Sequence, residues 1–143
     1  MKQTIRKNIT DIPYSLHDKE ANEMTVEGKK LTLHFKDGYV ECQEPYDDVK
    51  GTVVFENVDW DFSFAYKFKC IEFTLENTGP IEGEKMMLKD FAEQFANMTY
   101  EIVDETFGYN TTKFEGYLYL EEGTVECNIS IYHMGDMSYL TDK

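Results

Sequence analysis

Hydrophobic and polar residues alternate most regularly between residues 113 and 133. The run Lys-Phe-Glu-Gly-Tyr-Leu-Tyr-Leu-Glu is followed by Glu122-Gly123, then by Thr-Val-Glu-Cys-Asn-Ile-Ser-Ile-Tyr-His. Period-two alternation on both sides of a Gly-containing pair predicts a β-hairpin. With Glu122-Gly123 as a two-residue loop, Leu120, Leu118, Gly116 and Phe114 face Val125, Cys127, Ile129 and Ile131. The opposite face then pairs Tyr119 with Glu126, Tyr117 with Asn128 and Glu115 with Ser130. A slip of one residue would mix the two faces, so the pattern supports its own alternation.

The same period appears near the start. Met24 and Val26 precede a Gly28-Lys29 turn, and Leu31, Leu33 and Phe35 return on one face. Val26 is expected opposite Leu31, and Met24 opposite Leu33. Asp37-Gly38 is a type I′ turn signal and predicts a third strand, with Val40 opposite Phe35 and Cys42 opposite Leu33. After the Pro45 break, strand pattern resumes at residues 52–56. A long aromatic alternation follows, with Val58, Trp60, Phe62, Phe64, Tyr66 and Phe68 as one apolar set. The apolar parity changes after Cys70 to Ile71, Phe73 and Leu75, which predicts a bulge or bend. Residues 76–83 read as a loop. Residues 84–97 carry Met87, Leu88, Phe91, Ala92 and Phe95 at helical spacing and predict an amphipathic helix. Residues 100–109 read as extended, with Ile102 and Val103 inward. A last hairpin is expected across Gly135-Asp136, bringing Tyr132 opposite Tyr139.

These elements predict an α+β, mainly antiparallel β fold. Two meanders would form a curved sheet or partly closed barrel, with one main amphipathic helix over an opening. A chain of 143 residues suits a single domain spanning 1–143, with residues 1–22 as an irregular arm or short edge element.

Charge narrows the function classes. There are 28 acidic against 14 basic residues, a formal net charge of −14, and Arg6 is the lone arginine. Phosphate recognition draws on Lys and Arg, so direct nucleic-acid binding is not expected. An acidic field favours solubility and attraction to a basic protein partner. Cys42, Cys70 and Cys127 lie far apart in sequence, with no C-x-x-C pair, and are expected as reduced thiols on apolar faces. The start lacks the apolar stretch of a signal peptide, and no run approaches a membrane span, so a cytoplasmic protein is expected.

Candidate chemistry is sparse. His17-Asp18 could act as a base and its orienting carboxylate, but neighbours on a strand point apart and would pair only in a turn. His17, His34 and His133 would have to converge to hold zinc, and their expected faces keep them apart. Asp59 and Asp61 are expected on the polar face of a half-buried strand, without the further oxygen ligands calcium needs. No phosphate-binding loop, nucleophile elbow or zincin motif occurs. No catalytic residue, metal site or cofactor is therefore assigned, and an enzyme is the less favoured reading. Tyr117, Tyr119, Tyr132 and Tyr139, with Glu126, are expected on the face opposite the core. Tyrosine buries interface area at low entropic cost, so this face is the candidate binding surface, unless the helix or the N-terminal arm covers these rings. Pairing of two copies through it would give a homodimer.

Leu16-His17-Asp18, followed by the amphipathic hairpin Leu31-Thr32-Leu33-His34-Phe35-Lys36-Asp37-Gly38, resembles small uncharacterised β-rich bacterial proteins. Some immunity proteins of polymorphic toxin systems, which are short, acidic and aromatic-rich, are similar. The resemblance covers the first forty or so residues in pattern. It implies a non-enzymatic protein that binds and neutralises a basic partner, and brings no catalytic motif. Two alternatives stand beside it: a small-molecule binder or enzyme with a pocket in the curved sheet, and a DNA-mimic inhibitor whose carboxylates are spaced like phosphates.

Overall fold

A computed structural model describes residues 1–6, 11–70 and 79–142. The strands are β1 (Lys2–Ile5), β2 (Tyr14–Ser15), β3 (Lys19–Glu27), β4 (Lys30–Phe35), β5 (Tyr39–Glu41), β6 (Asp48–Val49), β7 (Gly51–Phe55), β8 (Phe64–Cys70) and β9 (Ile81–Met87). A six-residue helix, α1 (Leu88–Glu93), follows, then β10 (Thr99–Gly108), β11 (Thr111–Leu120), β12 (Gly123–Tyr132) and β13 (Met137–Thr141). Among the described residues, ten strands form one antiparallel sheet in the order β1-β13-β7-β4-β3-β10-β11-β12-β8-β9. A small second sheet has the order β2-β5-β6. The fold is mostly antiparallel β.

Among the described residues the sheet curls over one core cluster. The Phe55 ring on β7 meets Phe114 on β11 at 6.2 Å between centroids. Those strands are four places apart in the sheet, about 19 Å if it were flat at ~4.8 Å per strand. Edge contacts tighten the curl: Arg6, just after β1, lies 4.1 Å from the centroid of Phe107 on β10. No ladder joins β1 to β9 among the described residues, so the sheet is not a closed barrel. Tyr14, Tyr39 and Tyr139 pack edge-to-face or tilted, with centroids 5.1 to 5.9 Å apart, fastening the small sheet to the large one. The Tyr39 hydroxyl donates to the Thr52 carbonyl at 2.7 Å.

Local pairing followed the alternation and longer pairing did not. The β3–β4 hairpin has the expected register, Val26 opposite Leu31 and Met24 opposite Leu33. In the β11–β12 hairpin the loop is Glu121-Glu122, so Leu120 faces Gly123, Leu118 faces Val125 and Tyr117 faces Glu126. This moves every partner by two residues, which changes the pairs but leaves each side chain on its expected face. The hairpin predicted at Asp37-Gly38 is absent. β4 pairs with β7, while β5 leaves for the small sheet. Gly38, at φ +77°, turns that corner where a Cβ would sit 1.9 Å from the Val49 carbonyl oxygen. The hairpin across Gly135-Asp136 is absent too: β12 pairs with β8, and β13 lies between β1 and β7.

The predicted helix at 84–97 is largely replaced. Residues 81–87, part of them read as loop, pair along β8 as β9, and the helix keeps six residues. Leu88, Phe91, Ala92 and Phe95 are buried. Asn97 takes a left-handed conformation at φ 56°, which Asn tolerates. Within the first 22 residues lie β1, β2 and the start of β3. The parity change at Ile71, Phe73 and Leu75 lies outside the described residues.

Candidate interaction face

The large aromatics of β8 point away from the core. Ser63 and Ala65 are fully buried, while Phe64, Tyr66 and Phe68 are half-buried on the outer face. The reason is local. The Ser63 hydroxyl donates to the Asp59 carbonyl at 2.8 Å and accepts from the Tyr132 amide at 2.9 Å. The Ser63 carbonyl receives the Leu88 amide at 2.9 Å where α1 begins. The inner side of β8 is thus occupied by α1, with the Lys67 ammonium 6.0 Å from the Phe91 ring. Small inner residues let the helix approach, and the rings are left outside.

Cross-strand registers assemble a surface from this. One row on the outer face runs Glu20, Glu101, Tyr117, Glu126, Phe68 across β3, β10, β11, β12 and β8. The next runs Asp104, Glu115, Asn128, Tyr66, Lys85 from β10 to β9. Tyr119 sits beyond the first row, opposite Thr124. Five carboxylates thus share two rows with one lysine, beside an aromatic wall. The Tyr119 hydroxyl donates to Glu101 Oε1. That bond, then desolvation and nearby carboxylates, pushes the Tyr119 hydroxyl up to about 12. Tyr66 and Phe68 are parallel, with centroids 6.3 Å apart.

A β-bulge in β10 shapes the other side. The register with β11 shifts between Ile102 and Asp104, opposite Gly116, where a Cβ would lie 1.9 Å from the Glu101 carbonyl oxygen. Past the bulge the alternation flips, as bulges do when they re-aim side chains, and Glu105 and Phe107 turn inward. Glu105 Oε2 accepts the Leu16 amide at 3.1 Å, and Oε1 has no partner among the described residues. Burial pushes the Glu105 carboxyl up to about 7, against the Leu16 amide, His17 and Arg6.

The expected site residues divide. Tyr117 and Tyr119 are 40% and 37% exposed, and Glu126 is exposed beside them. Tyr132 is half-buried at the far end of β12, its ring 6.2 Å from Phe62. Tyr139 is not on this face at all. It is fully buried against Tyr14 and Tyr39, because β13 pairs with β1 and β7 and not with β12. Phe64, Tyr66 and Phe68 were not among the expected site residues. The signal lay in the small inner partners Ser63 and Ala65, which suit a face packed tightly against a helix.

His17 and Asp18 do pair, Nε2 to Oδ2 at 3.2 Å, since Asp18 sits in a turn at φ 61°. The other ring nitrogen faces the Val103 carbonyl, so both nitrogens are engaged. His34 is held to the Thr25 hydroxyl at 2.9 Å. His133 is buried, with Nε2 on the Thr112 hydroxyl at 2.8 Å and Nδ1 on the Gly135 carbonyl at 3.0 Å. Desolvation holds its pKa below the ordinary value. The three histidines therefore have separate partners. Among the described residues no group of three or more His, Cys, Asp or Glu is placed to hold a metal. Asp59 and Asp61 lie in a 3₁₀ turn and not on a strand. Asp59 caps it by accepting the Asp61 amide at 3.1 Å. Cys127 is buried, but Cys42 is exposed and not on an apolar face.

The surface concavities are open to solvent. One of about 340 Å³ lies along Tyr66, Phe68, Lys113, Glu115 and Asn128. Another of about 310 Å³ continues past Phe68 to Tyr117 and Glu126. Together they trace a groove whose floor is β12. No helix among the described residues is long and apolar enough to cross a membrane. Compared with known proteins, the chain matches no family model, no curated protein and no solved structure.

Proposed function

We propose that this chain is a non-enzymatic binding protein of the cytoplasm that docks a basic protein partner on the outer face of β10, β11, β12 and β8. One observation carries the reading: among the described residues the core lies on the inner face of the sheet and leaves Phe64, Tyr66, Phe68, Tyr117 and Tyr119 on one outer surface, in rows with Glu20, Glu101, Asp104, Glu115 and Glu126. Aromatics in a polar rim are what interface centres use. The net charge of −14 supplies long-range attraction to a cationic surface. An immunity-type inhibitor, which covers and silences a basic toxin, is the specific role in view.

The test compares capture from cells of the source organism by the native protein and by a Tyr117→Ala/Glu126→Lys variant. Both residues lie at the surface, so the variant's melting temperature is expected to stay within a degree or two. A basic protein retained by the native form, lost by the variant and released by raised salt supports the reading. Equal capture by both forms overturns it.

A further inference from the structure

The outer rings of β8 already hold a cation. Lys85, on the edge strand β9, places its ammonium 4.0 Å from the Phe64 centroid and 5.7 Å from the Tyr66 centroid. The two rings are 6.3 Å apart and inclined at 54°, so they form an open notch. Ammonium and guanidinium groups are drawn to ring faces by the quadrupole of the π system. Lys85 makes no ion pair with a carboxylate among the described residues, and Glu115, in the same row, is three strands away.

We propose that the Phe64–Tyr66 notch is a seat for a lysine or arginine side chain of the basic partner, and that Lys85 occupies it until the partner displaces it. The inference rests on the docking face described above and names what enters it. Lys85 hangs on a long flexible stem from an edge strand, so its head can leave at small cost and return to water. The groove beside Tyr66 and Phe68 opens next to the notch, with Glu115 and Asn128 along it. The centroids of Phe64, Tyr66 and Phe68 step by 6.3 Å. An extended peptide repeats its side chains on one face every ~6.6–6.8 Å, so successive cations of an extended partner segment match successive rings. Lys85 is therefore a competitor of the ligand, despite lying within its footprint.

The experiment is an NMR titration of the full chain with an alternating Arg-Gly octapeptide, read at the Phe64 and Tyr66 ring signals. The same peptide with citrulline in place of arginine keeps the shape and removes the charge. Lys85→Ala is expected to tighten arginine-peptide binding by roughly two- to fivefold, the worth of one exposed cation–π contact. Lys50→Ala makes the same charge change at an exposed position that lines neither the notch nor the groove, and reports the electrostatic contribution alone. Ring shifts absent with citrulline, and a gain for Lys85→Ala clearly above that for Lys50→Ala, support the seat. Equal gains for the two variants, or weaker binding by Lys85→Ala, overturn it. If the seat fails while a native partner still depends on Glu126, the docking reading stands without it. If the peptide binds the notch but no partner depends on Tyr117 or Glu126, the docking reading falls and the seat remains.

Discussion

Replacing Glu105 with glutamine should stabilise the protein above neutral pH and do little below pH 5. The bulge in β10 turns this carboxyl inward, where one oxygen has the Leu16 amide and the other has no partner among the described residues. Burial lifts its pKa from 4.5 to about 7. A folded value above the unfolded one means that the native state keeps a proton the unfolded chain gives up. The stabilisation is full below pH 4.5 and is lost as pH rises through 7. At ~1.36 kcal/mol per unit the ceiling is about 3 kcal/mol, and residual solvent access lowers the expectation to about 1–2 kcal/mol. Glutamine retains a carbonyl oxygen for the Leu16 amide and cannot ionise. Urea unfolding of both proteins from pH 5 to 9 reads the difference, provided the m-value is unchanged. His133 titrates in both proteins and cancels. Parallel curves across the range, or a Glu105→Gln protein less stable at pH 8.5, would refute the reasoning. The second outcome would mean that the attraction between ionised Glu105 and Arg6 outweighs the cost of burying the charge.

The bulge itself depends on Gly116. Gly116→Ala should destabilise by about 3 kcal/mol, the upper end for overpacking, since its Cβ would strike the Glu101 carbonyl. Gly108→Ala, where a Cβ meets nothing within 4 Å, should stay within ~0.5 kcal/mol; thermal melts separate the two. Site-resolved mass spectrometry after brief iodoacetamide treatment at pH 8 should find Cys42 modified in the native protein and Cys127 untouched until denaturant is added. Cys127 is buried and its thiol is pushed up to about 12, whereas Cys42 is exposed. Rapid native-state labelling of Cys127 would mean that β12 opens locally.

How much of this was legible in the chain depends on range. The faces of β11 and β12 follow from alternation, and survived a two-residue error in register because an even shift preserves parity. The β3–β4 hairpin was readable for the same reason: two adjacent runs and a short loop leave few alternatives. Residues 84–87 misled because Met87 and Leu88 continue a helical stripe, while pairing along β8 gives those backbone groups a ladder instead. Propensity is a weak prior against such pairing. The candidate face was half visible, with Tyr117, Tyr119 and Glu126 read from the hairpin alone and the β8 rings assigned to the opposite side.

By itself the sequence determined what is local or summed over the chain: the antiparallel β class, two hairpins with their inner and outer sides, and an acidic, arginine-poor surface. The tertiary structure decided which strands became neighbours and therefore which side chains share a surface. Tyr139 entered the core because β13 paired with β1 and β7. Phe64, Tyr66 and Phe68 faced outward because Ser63 was tied to Asp59, Tyr132 and the start of α1. Strand order is settled by contacts between residues far apart in sequence, and a pattern of period two carries no record of them.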